Sequence, residues 1–220
     1  MNHDTTSDEI REAVRERYGN FAKSHLTDEA IVNADATDPN KSACCEPGAD
    51  LTTWADNLYD QNDLGRAEKS IAELTLGCGN PIALAELRQG EHVLDLGSGA
   101  GLDCFLASKQ VGATGQVIGV DMTPDMLALA EKNLEKTGVR NVEFRKGYLE
   151  ELPVATGSID VVISNCVLNL SPDKPKAFSE AFRVLKSGGR LRVSDVLWTR
   201  EPTEAERNDM ESWTGCVAGA

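Results

Sequence analysis

The apolar positions of the chain change their period along its length, and each change marks a switch of element. Ile10, Val14, Tyr18 and Phe21 recur at three- to four-residue intervals behind a capping box, Thr6 to Glu9. That pattern predicts an amphipathic helix reaching to about residue 24, outside the main domain and suited to act as a lid, with Tyr18 and Phe21 read as packing residues. Across residues 25–50 the period is lost. The stretch is polar, carries Asp38-Pro39 and Glu46-Pro47-Gly48, and holds the adjacent Cys44 and Cys45. It reads as a loop, the kind of segment on which binding residues often sit. Helical spacing returns at Leu64, Ala67, Ile71 and Leu74 and stops at Gly77-Cys78-Gly79-Asn80-Pro81, after which Ile82 to Leu87 form a short helix.

From there short apolar runs alternate with helical patterns. Strands are expected at Val93–Leu96, Gln116–Asp121, Val142–Phe144, Ser158–Cys166 and Arg190–Val196. The runs are nearly continuous rather than alternating, as strands buried on both faces of a parallel sheet should be. Between them lie helices carrying Leu102, Phe105 and Leu106; then Met126, Leu127, Ala130 and Leu134, opened by Thr123-Pro124 and closed by Gly138; then Phe178, Ala181, Phe182 and Leu185, ending at Gly188-Gly189. A second capping box, Thr203 to Glu206, starts a last helix that leads to Trp213 and Cys216. Strand–helix alternation of this kind means an α/β fold, a Rossmann-like, doubly wound parallel sheet. The organisation is then an N-terminal helix and cysteine-bearing loop over residues 1–63, a lid or substrate segment, followed by a ligand-binding sheet domain over 64–220.

Composition narrows the function. With 40% hydrophobic residues and no apolar run of membrane length, and an N-terminus without a signal-peptide profile, the chain is expected to be soluble and cytoplasmic. A formal net charge of −14 would repel phosphates, which argues against nucleic acid as the substrate. The partner expected is a small molecule, with no membrane partner and a monomeric chain. Six cysteines stand at 44, 45, 78, 104, 166 and 216 without a repeated C-x-x-C, and no disulfide framework is expected in a cytosolic chain of this size.

The first strand ends in Asp95-Leu-Gly97-Ser98-Gly99-Ala-Gly101. Glycines accept positive φ and let a ligand approach the main chain. Because Leu102 follows Gly101, the loop departs from the G-x-G-x-x-G dinucleotide fingerprint. It resembles the first motif of the class I S-adenosylmethionine-dependent methyltransferases. In such a sheet the ligand lies beyond the carboxyl ends of the strands at the switch point between the first and fourth. The resemblance implies that Asp95, Gly97, Ser98, Gly99 and Gly101 receive the methionine part of the cofactor and that Asp121 takes both ribose hydroxyls. Tyr148, Leu149 and Glu150 would line the adenine pocket with Met122 on the other ring face. It also implies two further strands after the fifth. With the sequence stopping before them, the C-terminal strands of the sheet are expected to be missing and the fifth strand to be an exposed edge.

The end of the fourth strand, Asn165-Cys166, falls beside the glycine loop. The histidines, His3, His25 and His92, lie in a tail, a loop and the base of the first strand, so no obvious general base is available. A soft acceptor with its own lone pair needs none, and thiolates are the side chains that would hold it. At Ala43-Cys44-Cys45, Gly77-Cys78-Gly79, Asp103-Cys104, Ser164-Asn165-Cys166-Val167 and Gly215-Cys216-x-x-Gly219-Ala220 the chain resembles arsenite methyltransferases over nearly its whole length. That resemblance implies arsenic(III) bound by Cys166 and Cys216 with a third thiolate from Cys44 or Cys45. Cys44 is favoured by its Ala43 neighbour, and Cys78 and Cys104 are read as structural. It implies methylation of arsenite or its thiol conjugates by S-adenosylmethionine, with S-adenosylhomocysteine as product and a thiol reductant such as glutathione or thioredoxin. Two alternatives stay open on the residues alone. One is a C- or O-methyltransferase of a quinone-like small molecule. The other is a non-catalytic metalloid-binding protein on the same scaffold.

Overall fold

Five strands form one wholly parallel sheet in the computed structural model, which describes residues 6–26, 59, 66–72 and 74–220. They are β1 (His92–Leu96), β2 (Gln116–Asp121), β3 (Val142–Lys146), β4 (Ile159–Asn165) and β5 (Leu185–Ser194), in the order β3-β2-β1-β4-β5. The order reverses at β1, with Leu96 opposite Val120 on one side and Ser164 on the other. Cys44 and Cys45, with the rest of the polar loop, lie outside the described residues.

Side chains of one strand feed opposite faces. Val93 joins a core with α3 (Pro81–Ala85), α4 (Leu102–Val111) and α5 (Pro124–Thr137), while Leu94 and Leu96 join a second core beneath α6 (Lys174–Val184). Both faces are therefore covered, which is why the runs read as continuously apolar. Local chemistry sets the helix ends. Asn80 and Asp173 cap α3 and α6 by accepting from the Ala83 and Lys176 amides, and Gly138 closes α5 at φ 67°.

Two boundaries differ from the expected ones. The helix expected to run to Gly188-Gly189 ends at Val184, because β5 starts at once, with Leu185 opposite Ile159 and a register shift before Arg190 meets Val161. Its buried face is Ala177, Ala181 and Val184, which turns Phe182 outward at 81% exposure. Among the described residues nothing pairs with the outer edge of β5.

Helix α1 (Ser7–Leu26) packs on α5 and on the C-terminal helix α8 (Met210–Thr214), which follows the one-turn α7 (Glu204–Arg207). Ile10 and Val14 are buried with Leu170 and Cys216. Each such side chain is worth roughly 1.5–3 kcal/mol when fully buried. The half-exposed Lys23–Asp125 pair at 3.3 Å adds at most about 1 kcal/mol. Apolar contact therefore holds α1. Helix α2 (Arg66–Ala72) completes this side of the molecule, with Ile71 buried against the α4–α5 core.

Candidate active site

The cavity opens where the sheet order reverses, and its walls come from the strand ends together with α1. The turn after β1 depends on glycine. A Cβ on Gly97, at φ 69°, would lie 2.2 Å from Val167 Cγ2, and one on Gly101, at φ 93°, 2.7 Å from the Phe144 ring. Gly99, at φ 49°, faces open space with nothing within 4 Å. A methyl there would fill the cradle rather than strike the protein. Of the residues singled out from the sequence, Asp95, Gly97, Ser98, Gly99, Asp121, Met122, Tyr148, Leu149, Glu150 and Asn165 line the cavity. Gly101 does not; it serves packing at the start of α4.

Asp121, at the end of β2, is fixed by two main-chain amides. Gly99 N–H donates to one carboxylate oxygen at 3.0 Å and Thr123 N–H to the other at 2.8 Å. A carboxylate offers about four acceptor sites, so two remain for the hydroxyls of a diol. Ser98 Oγ is buried with no hydrogen-bond partner among the described residues, an orphan a ligand could satisfy.

Three acids crowd the floor. Burial pushes the Asp95 carboxyl well above the usual carboxylate range, with the charge of Asp103 adding to it, while Cys104 Sγ donates to Asp95 at 3.2 Å. Burial raises Asp103 to about 6 against the opposing bonds from Asn165 and Tyr59. Asp121 is raised as well, again by burial. Desolvated carboxyls that share a cavity favour a cation between them. S-adenosylmethionine, with its sulfonium and its ammonium, fits that demand, and the open Gly99 cradle and the diol-ready Asp121 fit its remaining parts.

Asp103, Tyr59, Tyr18 and Arg11 were not anticipated in the site. Tyr59 Oη donates to Asp103 Oδ1 at 2.9 Å, and Asn165 Nδ2 donates to Asp103 Oδ2 at 3.0 Å. Asp103 carried one signal, an acid among the apolar residues of the α4 first turn; Tyr59 carried none, since no periodicity surrounds it. From α1, Arg11, Val14 and Tyr18 line the cavity. Arg11 pairs with Glu150 at 3.5 Å and lies 5.4 Å from the Tyr148 ring centre. Tyr18, read as a packing residue, also donates to Thr214 O at 3.3 Å and sits 3.8 Å from Cys216 Sγ.

The thiols gather at the end of β4. Cys166 lines the cavity, and Cys216 Sγ donates to the Cys166 carbonyl at 3.0 Å. Cys78 and Cys166 form a disulfide with Cα atoms 5.8 Å apart, which corrects the expectation of a chain without one. The physical reason is Asn165. Its Oδ1 accepts from the Cys78 and Gly79 amides at 3.1 and 3.2 Å, and Gly77 leaves no room for a Cβ against its amide. The loop is thereby pinned on β4, within the span a disulfide needs. Cys104 is buried beside Asp95, consistent with a structural part.

Comparison with known proteins agrees with this geometry. A family model described as a methyltransferase domain matches residues 87–220. An arsenite methyltransferase of Halobacterium salinarum is 46% identical over 217 residues, covering 99% of this chain and 55% of the relative. One from Aquipseudomonas alcaligenes is 41% identical over 196 residues, 86% of this chain and 54% of the relative. The crystal structure of an arsenic(III) S-adenosylmethionine methyltransferase from Chlamydomonas reinhardtii superposes with a TM-score of 0.63 at 38% identity, covering 77% of this chain and 56% of that one. The chain thus spans about half the length of the relatives it matches. On its sheet order, its glycine cradle and the family model together, the chain belongs to the class I methyltransferase family, and its similarity within that family runs to arsenite methyltransferases.

Proposed function

We propose that the protein methylates trivalent arsenic, presented as arsenite or its thiol conjugates, with S-adenosylmethionine as methyl donor. When bound, the donor supplies an electrophilic methyl on a sulfonium. The observation that carries the reading is the double position of Cys166. It lines the cavity of Gly97, Gly99 and Asp121, and its carbonyl accepts from Cys216 Sγ at 3.0 Å.

Asp121 holds the ribose hydroxyls, the Gly97–Gly99 turn seats the methionine part, and Tyr148, Leu149 and Glu150 with Met122 enclose the adenine. Cys166 and Cys216, with a third thiol from Cys44 or Cys45, take the arsenic. Each thiol proton leaves with an arsenic-bound hydroxide as water while a sulfur–arsenic bond forms. With S-adenosylmethionine bound, the arsenic lone pair would take the sulfonium methyl, giving a methylated arsenic species and S-adenosylhomocysteine. No base has to remove a proton from the acceptor, so positioning and exclusion of water carry the rate. A thiol reductant such as glutathione or thioredoxin has the defined task of opening Cys78–Cys166 so that Cys166 can bind. That need supports a cytoplasmic setting. Among the described residues no helix is long and apolar enough to cross a membrane.

The test is incubation with arsenite, S-adenosylmethionine and glutathione, followed by chromatographic separation of the arsenic species. Methylated arsenic that appears only with both donor and reductant supports the reading. Turnover of a quinone-like acceptor with arsenite left untouched overturns it.

A further inference from the structure

Cys78, Cys166 and Asp195 bring two sulfurs and a carboxylate oxygen within 4.8 Å of one another. They arrive from three separate segments: the loop before α3, the residue after β4 and the residue after β5. Asp195 is not a free surface acid. Val196 N–H donates to its Oδ1 at 2.9 Å and Asn169 N–H to its Oδ2 at 3.3 Å. Asn169 is itself fixed, its Nδ2 donating to Val196 O at 2.6 Å and to Cys216 O at 3.3 Å. A carboxylate oriented by main-chain amides keeps lone pairs for a further partner, as an acid held ready to ligate does.

While the disulfide stands, its sulfurs are bonded to each other and ligate nothing. A thiol or phosphine reductant breaks the sulfur–sulfur bond, adding two electrons and two protons to give two thiols beside Asp195. We propose that this reduced trio is a site for a thiophilic divalent cation of the zinc class, which the disulfide closes and reduction opens. The ion binds both sulfurs as thiolates, so two protons are released, and it takes one oxygen of Asp195.

Geometry and chemistry agree on the class of ion. Sulfurs bound to zinc at about 2.3 Å lie roughly 3.8 Å apart, within the spread of the trio, so opening the disulfide needs only a small movement of the Cys78 loop. Two sulfurs and one oxygen suit zinc or cadmium, whereas magnesium and calcium require oxygen ligands throughout. Cys216, with its thiol directed to the Cys166 carbonyl, is not part of the set. The site rests on the placement of the two sulfurs and Asp195 and not on the arsenic reading; because it shares Cys166 with the arsenic set, the ion and arsenite compete for that sulfur.

The experiment uses the Cys44→Ser/Cys45→Ser chain, reduced with a phosphine and desalted without oxygen. Cadmium is titrated by thiolate-to-metal absorption and zinc by competition with a chromophoric chelator. One equivalent bound in the reduced chain and none in the oxidised chain is expected. Asp195→Asn should weaken the ion by about tenfold or more with S-adenosylhomocysteine binding retained. Cadmium NMR of the chain with Asp195 intact reads the ligands directly. A shift typical of two sulfurs with oxygen supports the site even if the Asp195 variant fails to fold. A three-sulfur shift, unchanged affinity in Asp195→Asn, or binding that survives oxidation overturns it.

Discussion

The Cys216 thiol donates to the main-chain carbonyl of Cys166 at 3.0 Å, and both residues hold left-handed backbone, at φ 65° and φ 57°. Among the described residues Glu86 is the one other non-glycine with positive φ. Such a conformation costs a side-chain-bearing residue about 1–2 kcal/mol. Two cysteines held so, joined by that one hydrogen bond, mark a place where packing has been set against local preference.

Cys166→Ser and Cys216→Ser should each lower arsenite methylation by at least about a hundredfold, since a hydroxyl neither binds nor positions a soft metalloid. Binding of S-adenosylhomocysteine should change little in either variant. Single-turnover assays beside cofactor titration check this. Methylation at the unaltered rate by Cys166→Ser would sink the arsenic assignment.

Asp121→Ala should weaken S-adenosylmethionine and S-adenosylhomocysteine alike. A hydrogen bond to a charged acceptor is worth about 1.5–3 kcal/mol, roughly tenfold or more in affinity for each hydroxyl lost. Calorimetry decides it; equal affinities would remove Asp121 from the site.

Two alanine substitutions in one turn should separate folding from binding. At Gly97 the new Cβ meets Val167 at 2.2 Å, so stability should fall by about 2–4 kcal/mol from overpacking and left-handed strain combined. At Gly99 nothing lies within 4 Å, so about 1–2 kcal/mol of backbone strain is the whole expected cost to folding. Cofactor binding should nonetheless be lost there. Chemical denaturation and cofactor titration of both variants test the contrast, and equal destabilisation of the two would contradict it.

The buried acids give the ligand-free protein a defined pH dependence. Asp103 is raised to about 6, and Asp95 and Asp121 are raised as well, so above the unfolded carboxylate range the native state binds more protons than the unfolded one. The Asp103 contribution is therefore fully present below pH ~4 and is lost as pH rises through about 6, and those of Asp95 and Asp121 are lost as pH rises above the ordinary carboxylate range. Glu91, Asp160 and Glu180 are lowered and act the other way, losing their contribution only as pH falls below the ordinary carboxylate range. Stability should accordingly decline from pH 5 to pH 7 without cofactor, read as a falling denaturation midpoint. A rising midpoint over that interval would refute the assignment.

The strands, the glycine turn and the place of Asp121 were legible because each is written in neighbouring residues. A continuous apolar run marks a strand covered on both faces, and the acid that ends β2 needs no long-range information to be placed. The Cys78–Cys166 bond was not legible, since it joins positions 88 apart. It depends on the Asn165 amide gripping a loop whose path no periodicity describes. The outward turn of Phe182 and the early end of α6 share one cause: the β4–β5 pairing starts at Leu185, a tertiary demand that outweighs the helical spacing read from Phe178 to Leu185.

The way α1 is fastened bears on the order in which the molecule is completed. Arg17 and Tyr18 bond to Thr214, positions 197 and 196 residues further along the chain. A ribosome releases α1 long before its anchor exists, and domains begin to form during synthesis. The sheet can assemble from nearer neighbours, but the wall that Arg11, Val14 and Tyr18 give the cavity must wait for the Met210–Thr214 helix. The capacity to enclose a ligand is thus acquired only after the sheet that carries the cavity has been made.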